Sequence, residues 1–205
     1  ISTAGRLDLR DALIFTVDGA DSRDLDDAIS VVKTSDGYEL GVHIADVSHY
    51  VREGDVIDRE AFSRGTSVYF SDRVVPMLPE ELSNGICSLN CGEDRYAMSA
   101  FVTLSRSGAI LDIQIERTVI RSAVRGVYSE LNDVLARGRR SEFYGKYEPV
   151  YSCLRDIAEL YRILEKKGRA RGAVELETEE AKIILKNGEP VDIVKRTRGL
   201  SERII

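Results

Sequence analysis

The sequence predicts an α+β protein with a mixed, largely antiparallel sheet built from hairpins and packed helices. Three pairs of apolar or alternating runs carry this prediction, because a short glycine-containing turn joins the members of each pair. The pairs are residues 28–33 with 38–47 across Ser35-Asp36-Gly37, residues 97–105 with 109–121 across Arg106-Ser107-Gly108, and residues 181–186 with 191–196 across Asn187-Gly188. With 205 residues, 43% of them hydrophobic, the chain can bury a sizeable core as one domain or a large part of one.

Two helices are predicted between the second and third hairpins. The first has Ser129 as its N-cap and ends at Gly138, because small hydroxyl residues favour helix starts and glycine favours helix ends. The second has Pro149 in its first turn and ends near Gly168. Apolar residues recur at helical spacing in both segments, and residues 201–205 read as the amphipathic beginning of a further helix.

Composition and charge exclude several classes of protein. The three cysteines, Cys87, Cys91 and Cys153, form no even disulfide set and lack the nearby histidines of a zinc site. The chain has no signal peptide and no apolar run near 18 residues, so we expect a reduced, cytoplasmic protein without membrane insertion. The net charge is −6, but six arginines lie within residues 117–140. That stretch is either a face that follows phosphates or, as the pattern favours, a solvated helix surface.

The segment of residues 18–27 is the most informative, because it holds five aspartates between two apolar β-type runs. Carboxylates this close repel one another unless a cation lies among them. Magnesium prefers oxygen ligands and leaves positions for water or phosphate, so the segment predicts a magnesium site that could hold a phosphate. A solvated acidic turn is the alternative. An EF-hand is excluded, because Arg23 and Ile29 occupy the positions of its glycine and glutamate, counting from Asp18.

Residues 17–28, with the sequence VDGADSRDLDDA, resemble the signature of the catalytic (RNB) domain of the ribonuclease II and ribonuclease R family. The likeness continues in the family's order through HIADVSHYV (43–51), RGTSVY (64–69), VPMLPE (75–80), LSNG (82–85), CSLN (87–90), RGAVE (171–175) and EAK (180–182). It covers nearly the whole chain in one register. Asp18-Gly19 and residues 65–69 make it closer to ribonuclease R than to ribonuclease II.

The resemblance implies a role for four of the five aspartates. It implies that Asp18 and Asp27 hold magnesium directly, as one or two ions, with manganese as a possible substitute. It implies that Asp24 supports the cluster and that Asp26 is needed for cleavage, by positioning water or a second metal. Asp21 receives no role from the family, and we expect its side chain to hydrogen-bond the turn.

Tyr69 and the two histidines each allow two interpretations. A tyrosine in a β-rich run is most often half-buried packing, whereas the resemblance implies that Tyr69 stacks on the base at the 3′ end of RNA. His43 and His49 could act as general bases, but His43 alternates within an apolar strand and neither has a carboxylate at a telling spacing. The pattern favours structural histidines.

The function implied by the resemblance is a magnesium-dependent hydrolytic 3′→5′ exoribonuclease, which acts on single-stranded RNA and releases nucleoside 5′-monophosphates. One alternative is another metal-dependent phosphohydrolase, although the acidic run of residues 24–27 does not directly follow a strand as a phosphoaspartyl motif should. The other alternative is a non-catalytic RNA-binding relative, against which the intact aspartates argue.

The end of the chain at Ile205 suggests that residues 1–205 are the first half of an RNB-type catalytic domain. In the resembled family a long helix starts here, and the second half of the domain supplies an arginine-rich motif near the scissile phosphate. Flanking cold-shock and S1 RNA-binding domains are also expected elsewhere in such a protein. We therefore expect the isolated chain to be inactive or nearly so.

Overall fold

The computed structural model describes residues 1–174, 180–196 and 198–205. The strands are β1 (Leu7–Leu9), β2 (Phe15–Asp18), β3 (Asp27–Lys33), β4 (Gly37–Ala45), β5 (Val68–Tyr69), β6 (Val74–Val75), β7 (Asp94–Ser105), β8 (Ile110–Arg121), β9 (Val124–Val127), β10 (Glu180–Lys186) and β11 (Glu189–Arg196). The helices are α1 (Val56–Arg64), α2 (Tyr128–Arg137), α3 (Tyr144–Tyr147), α4 (Tyr151–Ala170) and α5 (Ser201–Ile204). Glu175, the last residue of one family motif, lies outside the described residues.

Seven strands form one mixed sheet in the order β1-β8-β7-β4-β3-β2-β9. The β1–β8 and β2–β9 pairs are parallel, and the four pairs between them are antiparallel. Two further two-stranded ribbons, β5–β6 and β10–β11, stand apart from this sheet. The predicted α+β class with a largely antiparallel sheet is confirmed, and so are all three predicted hairpins.

Successive residues of the central strands point to opposite faces of the sheet, and each face has its own core. On one face, Phe15 and Ile29 pack with Leu131 of α2 and Leu154 of α4. The other face buries a smaller cluster of strand and loop residues that includes Leu25. Leu25 is the apolar residue in the middle of the acidic segment, so its burial ties that segment to the body of the protein.

The ends of the predicted helices differ in part from the structure. Ser129 is not the N-cap of α2, because β9 pairs with β2 as far as Val127 and the chain becomes helical at the next residue. The predicted end at Gly138 is confirmed, with a positive φ of 57° that suits glycine. Pro149 lies in a 3₁₀ turn just before α4, and α4 continues two residues beyond Gly168.

The arginines of residues 117–140 do not form one solvated helix surface. Arg117 and Arg121 lie on β8, and Arg121 forms a 2.6 Å ion pair with Asp94. Arg125 lies on β9, where it contacts the acidic segment. The interpretation as a single helix face is wrong, because long-range strand pairing distributes these side chains over different elements.

The two histidines lie in different surroundings, His43 in the core and His49 at the surface. His43 is fully buried and hydrogen-bonds Ser30 at 3.0 Å and Ser99 at 2.7 Å. Burial lowers the pKa of His43 to about 4, which keeps the imidazole neutral at pH 7. His49 packs against Tyr96, with 4.3 Å between the ring centroids. No helix in the described parts of the chain combines the length and apolar character needed to cross a membrane.

Candidate metal and nucleic-acid site

The acidic site forms where two neighbouring strands meet. Asp18 is the last residue of β2 and Asp27 is the first residue of β3, and these strands pair antiparallel through Phe15 and Ile29. Residues 19–26 connect them and carry the remaining aspartates. We call this connection the acidic loop. The strand ends are held by the sheet, so rigid strands carry the first and last carboxylates of the segment.

Asp18 is the most perturbed carboxylate of the site. Its Oδ2 atom is buried and has no hydrogen-bond partner among the residues that the structure describes. Burial and the negative charges of Asp27, Asp24 and Asp26 raise the pKa of Asp18 to about 6, although Arg125 opposes this shift. Without a cation, the site therefore holds an unsatisfied carboxylate oxygen among like charges.

The neighbouring carboxylates share this environment. Burial raises the pKa of Asp27. Asp26 is exposed, but nearby protein atoms restrict the water around its carboxylate, and this desolvation together with the charges of Asp24 and Asp27 raises its pKa. The sequence places Asp21 in the same segment, but its side chain is exposed and does not close the turn. The backbone does so instead, from the Ser22 N–H to the Gly19 carbonyl at 3.2 Å.

Tyr69 faces the acidic loop across a cleft. It lies on the β5–β6 ribbon with 64% of its surface exposed, so the interpretation as core packing is wrong. Its hydroxyl donates a hydrogen bond to Oδ2 of Asp24 at 2.7 Å. This bond and partial burial raise the pKa of Tyr69. The ring is therefore both free to contact a ligand and linked to the carboxylate cluster.

The cleft between the acidic loop and the ribbon has a volume of about 560 Å³. Its lining includes two cations, Arg23 and Arg73, and the amide of Asn84. Such a volume is in the range of small-ligand sites. Cationic and amide groups beside an acidic cluster suit a phosphate ester that reaches the carboxylates from the cleft.

Two residues that support the site were missed by sequence reasoning. Ser88 is fully buried, donates from Oγ to the Arg23 carbonyl at 2.8 Å and accepts from the Leu25 N–H at 3.1 Å. Arg125 donates from Nη2 to two carbonyls of the same loop. Ser88 lies in the CSLN stretch, which could have drawn attention to it. Nothing in the sequence around Arg125 indicates its contact with a loop more than 100 residues away.

The donors of the site are carboxylate oxygens, the ligands that a hard divalent cation prefers, and one of them, Oδ2 of Asp18, is buried without a partner among the described residues. Among the residues that the structure describes, no three His, Cys, Asp or Glu side chains converge closely enough to enclose a metal ion. Magnesium does not require such a cage, because proteins commonly bind it through one or two carboxylates, with water and substrate phosphate as the other ligands.

Comparison with known proteins shows the family of the chain. Residues 6–205 match the family described as the RNB domain. The chain is 49% identical to ribonuclease R of Thermotoga maritima over 204 residues, which are 98% of this chain and 28% of the relative. It is 47% identical to ribonuclease R 1 of Lactococcus lactis, covering 98% of this chain and 25% of the relative. The chain thus spans about a quarter of the length of these relatives.

Solved structures show the same fold. Mycoplasma genitalium RNase R in complex with ribose methylated single-stranded RNA superimposes with a TM-score of 0.92 at 33% identity, over 98% of this chain and 31% of that one. The same enzyme has been solved with double-stranded RNA, again with a TM-score of 0.92. The match of the family model to residues 6–205, nearly the whole sequence, shows that the chain belongs to the RNB family.

Proposed function

We propose that this chain carries the catalytic carboxylates of a magnesium-dependent, hydrolytic 3′→5′ exoribonuclease, which acts on single-stranded RNA and releases nucleoside 5′-monophosphates. The observation that carries the proposal is the buried Asp18 Oδ2 atom, which has no partner in the described parts of the chain and lies among the charges of Asp24, Asp26 and Asp27. A bound cation would satisfy that oxygen and offset the repulsion. The activity is proposed for a protein of the relatives' length, which we call the full-length protein.

Asp18 and Asp27 would hold the magnesium ion, with water and RNA phosphate oxygens as its other ligands. Manganese offers similar oxygen preference, and the number of carboxylates allows one ion or two. A metal ion held there would supply charge neutralisation at the phosphate, a lower pKa of the attacking water and stabilisation of the leaving oxygen.

The other residues orient the reactants. Asp26 is exposed toward solvent and is suited to hold and orient the attacking water. Asp24 supports the cluster and receives the Tyr69 hydrogen bond. The exposed ring of Tyr69 can stack on the base at the 3′ end, which gives a grip that does not depend on base identity. Arg23 and Arg73 line the cleft and can attract the RNA backbone.

The cleft supports a single strand as the substrate. Its volume of about 560 Å³ and its single tyrosine suit the terminal nucleotide of one strand. The related RNase R of Mycoplasma genitalium has been solved with single-stranded and with double-stranded RNA. Those complexes support RNA as the ligand, and we propose that a free 3′ end is the part that reaches the carboxylates.

The test follows the fate of labelled RNA. The full-length protein is incubated with 3′-labelled RNA, with 5′-labelled RNA and with a free nucleotide, each with magnesium and after chelation. We expect immediate release of labelled mononucleotide from the 3′ end, a shortening 5′-labelled ladder, and no activity after chelation. RNA that is bound but never cut would indicate a non-catalytic relative. Hydrolysis of the free nucleotide alone would indicate another phosphohydrolase.

The 205-residue chain alone, run in parallel, is expected to be inactive or nearly so. It covers about a quarter of the relatives' length, and charge on the reacting phosphate requires cationic partners beyond those that face the acidic cluster here. Processive RNA degradation by this chain alone would contradict that part of the proposal.

A further inference from the structure

The acidic loop makes few hydrogen bonds of its own. Within it, the Ser22 N–H reaches the Gly19 carbonyl at a long 3.2 Å. Its other described backbone bonds go to groups outside the loop. The Asp26 carbonyl accepts from the Ala45 N–H at 2.9 Å, and the Leu25 carbonyl accepts from the Leu89 N–H at 2.8 Å. The conformation of the loop is therefore imposed largely by its surroundings.

Ser88 bridges two backbone groups of the loop with one hydroxyl. Its Oγ donates to the Arg23 carbonyl and accepts from the Leu25 N–H, which uses both capacities of a hydroxyl group. Ser88 is itself held, because its own carbonyl accepts from Nε of Arg95 at 2.8 Å. Alanine at this position would lack the hydroxyl and would leave both loop groups without that partner.

Arg125 holds the first half of the loop, before the residues that Ser88 bonds. Its Nη2 donates to the carbonyls of Ala20 at 2.9 Å and Ser22 at 2.7 Å. One planar guanidinium nitrogen between two carbonyls fixes their separation, which a flexible lysine ammonium would not do as strictly. The adjacent Gly126 lets β9 run close to β2, since a Cβ there would lie 2.4 Å from the Thr16 carbonyl oxygen. This close approach brings Arg125 to the loop.

The carboxylates of the site thus have two different supports. Asp18 and Asp27 are carried by sheet strands, whereas Asp24 and Asp26 are carried by the loop. The separation between the strand-borne and the loop-borne carboxylates depends on the groups that hold the loop backbone. A misplacement of about 1 Å in a catalytic site can cost roughly 100-fold in rate.

We propose that Ser88 and Arg125 are positioning residues, which clamp the backbone of the acidic loop at two successive places and so set the distance of Asp24 and Asp26 from the strand-borne carboxylates. Neither side chain needs to touch RNA for this role. The catalytic part of the inference rests on the proposed exoribonuclease function, whereas the clamp itself is a property of the fold.

The test uses Ser88→Ala and Arg125→Lys in the full-length protein. We expect faster hydrogen exchange of loop amides, above all that of Leu25 in Ser88→Ala. We also expect kcat to fall about 10- to 100-fold while KM for RNA changes less than about threefold. Combining the two changes should lower kcat further, because they release different parts of the loop.

Two matched variants control for general damage. Ser99→Ala removes another fully buried hydroxyl, which bonds His43 and Thr118 within the sheet. Arg106→Lys changes another guanidinium that holds a backbone carbonyl, that of Ser35 in a hairpin turn. Both are expected to keep the loop exchange and the kcat of the parent protein, even if they lower the melting temperature.

The outcomes separate the clamp from the proposed function. If both test variants keep the loop exchange and the kcat of the parent protein, the proposed clamp is wrong. It is also wrong if the control variants lose as much kcat as the test variants. If Ser88→Ala fails to fold, Arg125→Lys at its partly exposed position decides. If the parent protein releases no mononucleotide, the proposed function is wrong. Hydrogen exchange of the loop amides in the test variants would still test the proposed clamp.

Discussion

The hydroxyl of Tyr69 donates a 2.7 Å hydrogen bond to Oδ2 of Asp24, which joins the β5–β6 ribbon to the acidic loop. The other hydrogen bonds of the ribbon, such as Met77 N–H to Ser67 Oγ, stay within its own neighbourhood. Both residues of each ribbon strand are exposed, so little apolar packing holds the ribbon in place. The position of the Tyr69 ring relative to the carboxylates therefore depends strongly on this bond.

Tyr69→Ala is expected to weaken the binding of the RNA 3′ end by about 1–3 kcal/mol, because a base loses its stacking partner. The final product should be longer, since a weaker grip releases RNA earlier. The melting temperature should barely change, because a ring that is 64% exposed leaves no core cavity. Product length and thermal melting, measured on the same variant, check this. A normal product ladder with a much lower melting temperature would contradict it.

Tyr69→Phe separates the ring from the hydroxyl. It retains the stacking face but loses the bond to Asp24, so RNA binding should stay near the parent value while kcat falls. Phe70→Ala, which removes an exposed aromatic ring from the same ribbon, is the control and should leave the product length unchanged. Equal product patterns for Tyr69→Ala and Phe70→Ala would mean that the ribbon as a whole, rather than Tyr69, grips RNA.

Asp26→Asn is expected to abolish cleavage and to leave RNA binding intact or tighter. The substitution removes a group that orients water, and it also removes one negative charge that repels the phosphate backbone. Single-turnover cleavage and equilibrium binding of the same RNA check both parts. Asp21→Asn in the same loop is the matched control for cleavage, because the exposed Asp21 side chain lines the cleft but makes no described hydrogen bond to the carboxylate cluster. A variant that bound RNA poorly but kept its turnover per bound molecule would refute the assignment.

The acidic site was predictable because the two strands that carry Asp18 and Asp27 are close together in sequence. The apolar runs on both sides of residues 18–27 indicate strands, and a strand end followed by a short connection must bring Asp18 near Asp27. The clamp was not predictable in this way. Ser88 and Arg125 contact the loop through hydrogen bonds between residues that are 63 to 105 positions apart in sequence. No local sequence pattern indicates such contacts.

The helix boundaries illustrate the same limit. The end of α2 at Gly138 follows from the local backbone preference of glycine. Its start does not follow from the capping preference of Ser129, because pairing of β9 with β2 keeps the backbone extended through Val127. Helix α1 was missed altogether. Its nine residues include no buried side chain, so the sequence carries no apolar stripe to reveal it.

The stability of the metal-free protein should depend on pH through Asp18. Its pKa is raised from 3.8 to about 6 on folding, so ionisation costs folding free energy as pH rises through this range. Above pH 6 the cost should be about 1–2 kcal/mol, after allowance for solvent screening at a partly exposed group. Asp18→Asn should remove this cost in folding free energy. Denaturant unfolding at pH 4.5 and pH 7.5, which are about 1.5 units on either side of the folded pKa, would show the change. No difference between variant and parent in this pH dependence would contradict the prediction.

His43 changes folding stability with pH in the opposite direction, so its contribution must be separated from that of Asp18. Its pKa is lowered from 6.5 to about 4, so its contribution to stability is lost as pH falls through that range. The difference between parent and Asp18→Asn at each pH cancels the His43 contribution, because that residue is unchanged. Divalent-ion binding should strengthen as pH rises through about 6 in the parent, since the ligand must be ionised. Affinity that stays flat over this range would place the ion elsewhere.

Gly126→Ala should destabilise the fold by about 1–3 kcal/mol through overpacking between β9 and β2. A Cβ at this position would lie 2.4 Å from the Thr16 carbonyl oxygen and 3.0 Å from Cδ1 of Leu131, so either the strand or the helix behind it must shift. Gly145→Ala in α3 is the matched control, because a Cβ there meets nothing within 4 Å and alanine favours helix. Denaturant unfolding of both variants checks the difference.

Since Arg125 precedes Gly126 on β9, the displaced strand should also loosen the acidic loop, and hydrogen exchange at Ser22 should rise in Gly126→Ala alone. Equal stability of the two variants would show that β9 can move away from β2 at little cost.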